Sequence, residues 1–224
     1  MNSIGTLNEG PLHASLKEHY AEPGDRLEVP LEGRRIDLVR GELLIEIQTQ
    51  GVSSIRRKLA QLAASREVRL VLPIAVRTWI VRHGPSGEVL GRRRSPKRRG
   101  LAHAFAELVS VPRLFREPGF SCEVLLTDQE EVRRHEPGRA RRRKGWVIVE
   151  RRLLEVGQRW LIETPADLLA ILPEGLPRPF TSGDLARELG VPRWLAQKVA
   201  YTLREAGALE THGRGRAGWR YSAA

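Results

Sequence analysis

The sequence predicts an α/β protein, a mixed sheet flanked by helices, with a small second unit at the C-terminal end. Three observations carry this. Over residues 11–82 the apolar pattern runs helix, three strands, helix, strand. Leu176-Pro177-Arg178-Pro179 reads as a stiff joint, after which short helices with clear start and stop signals recur. The chain has 224 residues, of which 41% are hydrophobic, enough for one large core or two small ones. The expected division is 1–163 and 164–224.

The elements follow in order. In 11–21, Leu12, Leu16 and Tyr20 form an i, i+4, i+8 stripe, and Pro23-Gly24-Asp25 stops the helix. Strands are expected over 26–32, 34–40 and 42–50, with Arg40-Gly41 as the turn between the last two. Gly51 ends the run, and Ser53-Ser54 is expected to cap a helix to about residue 65 that buries Ile55, Leu59 and Leu62. Val68 to Arg82 is a further strand region. Residues 84–100 are rich in Gly, Pro and Arg and are expected to form a solvated loop or a phosphate-contacting arm. A short helix is expected at 101–109 and a strand at 121–127. Residues 145–163 are expected to form a hairpin turning near Val156-Gly157-Gln158.

Composition narrows the function. The chain holds 38 Lys and Arg against 27 Asp and Glu, a net charge of +11, which favours polyanionic partners, nucleic acid before anionic membrane. The excess is uneven: 12 basic against 11 acidic side chains in 1–90, 18 against 12 in 91–174, and 8 against 4 in 175–224. The longest apolar run, Leu70 to Val76, is far too short to span a bilayer, and the N-terminus has no basic and apolar leader. One cysteine, Cys122, excludes an internal disulfide framework. A cytoplasmic protein without a membrane partner is expected.

The strongest functional signal lies in 34–50, RRIDLVRGELLIEIQTQ. Glu46 and Gln48 share one face of an otherwise apolar strand, and pairing across the turn brings Asp37 close to Glu46. Two adjacent carboxylates in such a place repel and are costly to bury, and a divalent cation removes both problems. The alternative is a solvated strand face on which Arg35 or Arg40 pairs with either acid. The histidines are scattered, and a single cysteine cannot make a CxxC pair, so no zinc site is expected. There is no Gly-x-Ser-x-Gly, Walker or dinucleotide motif.

Glu18 on the leading helix, Asp37, and Glu46-Ile47-Gln48 on the third strand resemble the PD-(D/E)XK nuclease superfamily. The resemblance covers roughly the first 80 residues and implies a restriction-endonuclease-like mixed sheet. It also implies that Asp37 and Glu46 hold Mg²⁺ or Mn²⁺, that Glu18 completes the site, and that the third motif position orients water. That position is usually lysine and is Gln48 here, an amide that bonds water but supplies no charge. Lys58 or Arg57, on the following helix, is the candidate substitute.

Residues 164–224 resemble a winged helix-turn-helix. Thr164-Pro165-Ala166-Asp167 opens a first helix and Thr181-Ser182 a second. Gly190-Val191-Pro192 makes the turn, and 193–206 form a third helix that buries Leu195, Val199 and Leu203. Arg193, Gln197, Lys198, Tyr201 and Arg204 are left on or near its outer side. Two short strands around HGRGRAG form a wing with Arg214 and Arg216. The nucleic-acid-binding residues expected are Arg193, Gln197, Lys198, Arg204, Arg214 and Arg216.

Together these readings imply a Mg²⁺-dependent nuclease placed on DNA by a winged helix, with a homodimer compatible with cutting two strands. The rivals are a non-catalytic regulator that keeps a nuclease fold for DNA binding, and an RNA-processing or RNA-binding protein. The latter gains little from a chain with 5% aromatics.

Overall fold

The computed structural model describes residues 10–216 and 218–224. Its centre is a seven-stranded mixed sheet in the order β1 (Arg26–Leu31), β2 (Arg34–Arg40), β3 (Leu43–Ile47), β4 (Val68–His83), β6 (Phe120–His135), β7 (Trp146–Ile162), with β5 (Val89–Arg94) paired to β4. β3, β4 and β6 run parallel to their neighbours in that trio, and every other pairing is antiparallel. The helix, three-strand, helix, strand order expected for 11–82 is present, with α1 at Pro11–Tyr20 and α2 at Val52–Ala63.

The two faces of the sheet are covered separately. Leu12, Leu16 and Tyr20 of α1 pack on Leu38, Ile45, Ile47, Val71 and Leu125. On the opposite face, Leu59 and Leu62 of α2 and Phe105 and Leu108 of α3 (Phe105–Leu108) pack with Leu70, Leu72 and Val124. The two-residue period of the strands divides their side chains between these layers.

Several expectations need correction. Ser53-Ser54 does not cap α2. The residue before the helix is Gly51, in the left-handed region at φ 73° that a glycine adopts without steric cost. The first-turn N–H of Val52 donates to Glu107 Oε2 at 3.0 Å, so a carboxylate from α3 sits at the positive end of α2. Residues 145–163 are not a hairpin. They form one 17-residue strand, and Val156-Gly157-Gln158 is a bulge in which β7 gains one residue on β6 between Leu125–Arg159 and Thr127–Val156. The segment 84–100 is not all loop, since β5 pairs with the distal half of β4. The strand expected at 121–127 extends to His135.

The C-terminal unit contains α4 (Ser182–Leu189), α5 (Arg193–Ala206) and a three-stranded sheet in the order β8 (Phe180–Thr181), β10 (Gly218–Ala223), β9 (Leu209–Gly215). Thr181 opens α4 with a capping box. Its Oγ1 accepts from Asp184 N, and Asp184 Oδ2 accepts from Thr181 N at 2.9 Å. The stretch expected to open this unit is a short 3₁₀ helix, Pro165–Ile171. Leu195, Val199 and Leu203 are buried as their spacing predicts, within the same core that holds Phe105 and Leu108. The units expected at 1–163 and 164–224 therefore share one hydrophobic layer. Arg113 of the first also pairs with Glu205 of the second at 3.0 Å.

Candidate functional site

The site forms where the β2–β3 ladder ends. Leu38 pairs with Ile45, and continuing that register sets Asp37 across from Glu46. In β3 the N–H groups of Leu44 and Gln48 donate toward β4, to Glu67 O and Val71 O, so the alternating N–H of Ile47 faces β2. No β2 carbonyl takes it. Asp37 Oδ2 does, at 2.8 Å. The Asp37 carboxylate thus replaces a missing rung of the ladder and is fixed by backbone.

His13 of α1 joins it. Its Nε2 lies 2.8 Å from Ile47 O and 3.2 Å from Asp37 Oδ2. A carbonyl and a carboxylate both accept, so this Nε2 carries the proton and is shared between them.

Glu46 is only 5% exposed. Lys58 reaches it from α2, with Nζ 2.5 Å from Oε1 and also 2.5 Å from Arg35 O. The ammonium lies against Oε1 as a close ion pair. Burial pushes the Glu46 carboxyl up to about 7. The Lys58 ammonium opposes that shift and the Asp37 charge adds to it.

Of the residues expected here, Asp37 and Glu46 come together, and Lys58 lies against Glu46. Glu18 does not take part. It lies on the exposed side of α1, and the α1 residue that reaches Asp37 is His13. Gln48 lies just beyond β3 and turns its amide onto Gln50 O. Arg57 is exposed. The solvated-face alternative fails for Glu46 because of its burial. Arg40 is bonded to Asp25 at 2.8 Å and Arg35 lies 3.4 Å from Glu28, so neither serves the site.

His13 was missed although a signal existed. His13, Lys17 and Tyr20 lie at i, i+4 and i+7, which gives α1 a polar edge beside its apolar stripe. Lys17 pairs with Glu28, and the Tyr20 hydroxyl donates to Glu123 Oε2. Burial, then the Glu123 bond, push the Tyr20 hydroxyl up to about 12.

Asp37, Glu46 and the Ile47 carbonyl are hard oxygen donors of the kind magnesium and manganese take. Glu46 Oε1 already has the Lys58 ammonium against it, so a metal ion here would share the Glu46 carboxylate with that lysine. No group of three or more His, Cys, Asp or Glu side chains among the described residues could hold a metal. An ion held by these oxygens would have to take its remaining ligands from water.

A second feature lies between α5 and the β9–β10 hairpin. Arg193, Gln197, Arg204, Arg214 and Arg216 line an open cleft with Tyr201 and Trp219. Trp219 is 42% exposed, a flat apolar face among cations. Lys198, expected with this set, is not in it. Its Nζ donates to Ala106 O at 3.1 Å and ties α5 to the sheet layer.

A family model described as a domain of unknown function (DUF8091) matches residues 10–163, most of the chain. The chain belongs to the DUF8091 family. The match holds His13, Asp37, Glu46 and Lys58, and the basic cleft lies beyond it. The chain is also similar to an uncharacterized protein of Treponema pallidum (strain Nichols), 29% identical over 187 residues, covering 83% of this chain and 74% of the relative. That alignment is longer than the DUF8091 match. No solved structure matches.

Proposed function

We propose that this DUF8091 protein is a metal-dependent phosphodiesterase of the PD-(D/E)XK kind, acting on DNA to which a winged-helix C-terminal unit holds it. The observation that carries the reading is the buried Glu46 carboxylate beside the half-buried Asp37, with the Lys58 ammonium on Glu46. Clustered acids and a lysine, with a raised carboxyl pKa, are found at functional sites, which supports this group as the reactive one.

In this reading Asp37, Glu46 and the Ile47 carbonyl would hold Mg²⁺ or Mn²⁺. The ion supplies acidified water and charge neutralisation at the scissile phosphate. The chain does the rest. The Ile47 N–H fixes the orientation of the Asp37 carboxylate. Lys58, spatially beside Glu46, takes the role of the motif lysine that Gln48 cannot fill, placing positive charge where the pentavalent phosphoryl oxygens develop charge. His13 Nε2 holds a proton at the same carboxylate, a donor for the leaving oxygen. The cleft lined by Arg193, Arg204, Arg214 and Arg216 supports DNA as the polymer, with Gln197 as the polar group able to read a base edge.

The test is cleavage of supercoiled plasmid, linear duplex, single strands, a branched junction and RNA with Mg²⁺ or Mn²⁺, by wild type, Asp37→Asn and Glu46→Gln. Metal-dependent cutting lost in both variants supports the proposal. Cutting that survives both variants overturns the site.

A second reading has one observation in its favour. Lys58 already neutralises Glu46, which suits a non-catalytic DNA-binding regulator built on the same fold. No cutting by wild type, with duplex binding retained in all three proteins, favours it.

A further inference from the structure

β4, β6 and β7 are 16, 16 and 17 residues long, where strands usually run to five or six. The helices cover the first halves of β4 and β6 and the last half of the antiparallel β7. The rest, roughly 77–83, 128–135 and 146–155, continues with β5 as an arm about 20 Å long. All of β5 is exposed. Ile80, Val81 and Val132 are buried, and adjacent Ile80 and Val81 point to opposite faces, so both sides of the arm carry covered apolar groups.

This arm carries almost the entire net charge of the protein. Residues 77–99 and 128–155 hold 17 Lys and Arg against 7 Asp and Glu, a net of +10 out of +11. Six of the seven acids are already used: Asp128 and Glu155 by Arg77, Glu130 by Arg92, Glu131 by Arg133, Glu136 by Arg139 and Glu150 by Arg152. Ten of the 17 cations have no carboxylate partner among the described residues. They run the length of the arm. Lys97–Arg99 follow Ser95, whose N–H bonds Thr78 O near the root, Arg93 and Arg94 lie on β5, and residues 141–144 form the turn at the tip.

Protecting a sheet edge from pairing takes one or two charges, not ten. The aromatic residues are not presented as membrane anchors either. Arg92 lies over the Trp79 ring and Arg82 over the Trp146 ring, at 5.1 and 4.6 Å from the centroids, so those rings are overlaid by guanidinium planes. Stacked guanidinium groups suit phosphate oxygens. Twenty ångströms of duplex carry about a dozen phosphates, enough to engage all ten unpaired cations.

We infer that this β-arm is a second nucleic-acid contact, separate from the C-terminal cleft, that grips the phosphate backbone of duplex DNA without reading sequence. The inference rests on the proposal that the protein acts on DNA, but not on its catalysis.

The test is the affinity of the full chain for a labelled 30-base-pair duplex in EDTA across a salt series, with vesicles containing phosphatidylserine as a parallel arm. A root variant replaces Lys97, Arg98 and Arg99 with Gln. A tip variant replaces Arg141, Arg142 and Arg143 with Gln. A cleft variant replaces Arg214 and Arg216 with Gln. Circular dichroism confirms that each is folded. The expected result is binding about tenfold weaker in the root and tip variants. The slope of log affinity against log salt should also fall by about 0.9 for each phosphate that the variant no longer neutralises. Wild-type affinity and slope in both arm variants, with weakening only in the cleft variant, overturn the inference and leave DNA as the partner. Vesicle binding without duplex binding by wild type overturns both.

Discussion

Lys58 reaches Glu46 across the gap between α2 and β3, with Nζ 2.5 Å from Oε1 and the carboxylate almost fully buried. Twelve positions separate them in sequence, and the left-handed Gly51 starts the helix that closes that distance.

Lys58→Met removes the cation and leaves Glu46 buried alone. We expect a loss of about 2 kcal/mol at pH 8, below the usual cost of breaking a fully buried pair because Lys58 is partly exposed. Urea unfolding measures it. Adding Glu46→Leu should recover most of the loss, since the pair then has no orphan.

Glu46 also sets a pH dependence. Its carboxyl is raised from 4.5 to about 7 in the fold, so between those values the folded state binds the extra proton. Stability from this group is full below about pH 4.5 and falls as pH rises to 7, by up to about 3 kcal/mol. The groups that face it are Lys58, Asp37 and His13. Melting temperatures from pH 5 to 8 should fall less steeply in Glu46→Gln than in wild type.

Asp37 separates structure from chemistry. Asp37→Asn keeps an oxygen for the Ile47 N–H and should cost under about 1 kcal/mol, while Asp37→Ala orphans that N–H and should cost about 1–3 kcal/mol. Under the proposed function both abolish cutting. A stable, inactive Asn variant would show that the carboxylate is needed for more than the ladder.

Cys122 is fully buried and burial pushes its thiol well above the ordinary range. Native protein should not react with a thiol reagent over minutes, and urea should expose one equivalent. Rapid reaction in buffer would mean that β6 opens.

The core was legible wherever apolar periodicity was strong. Leu12, Leu16 and Tyr20 of α1 and Leu195, Val199 and Leu203 of α5 all pack as their spacing requires. β5 was illegible because Val-Leu-Gly-Arg-Arg-Arg has no alternation. It is held by its partner, β4, and its side chains face water. Val156-Gly157-Gln158 looked like a turn because a bulge and a turn use the same residues, and only the partner strand decides between them. At the site, Asp37 and Glu46 stood out because charge interrupts an apolar pattern. Glu18 was chosen by likeness alone, and the group that reaches Asp37, His13, depends on how α1 lies across the sheet. Lys198 seemed outward on a helical wheel, but α3 occupies the space on that side.

The shared core has a further consequence. α5 lies on α3, Lys198 is tied to Ala106, and Arg113 is tied to Glu205, so the C-terminal unit and the sheet that carries the Asp37–Glu46 pair are packed as one body. If the proposed function holds, a duplex seated in the cleft would meet the carboxylates at one separation, and its cuts would fall at a constant offset from where it is held.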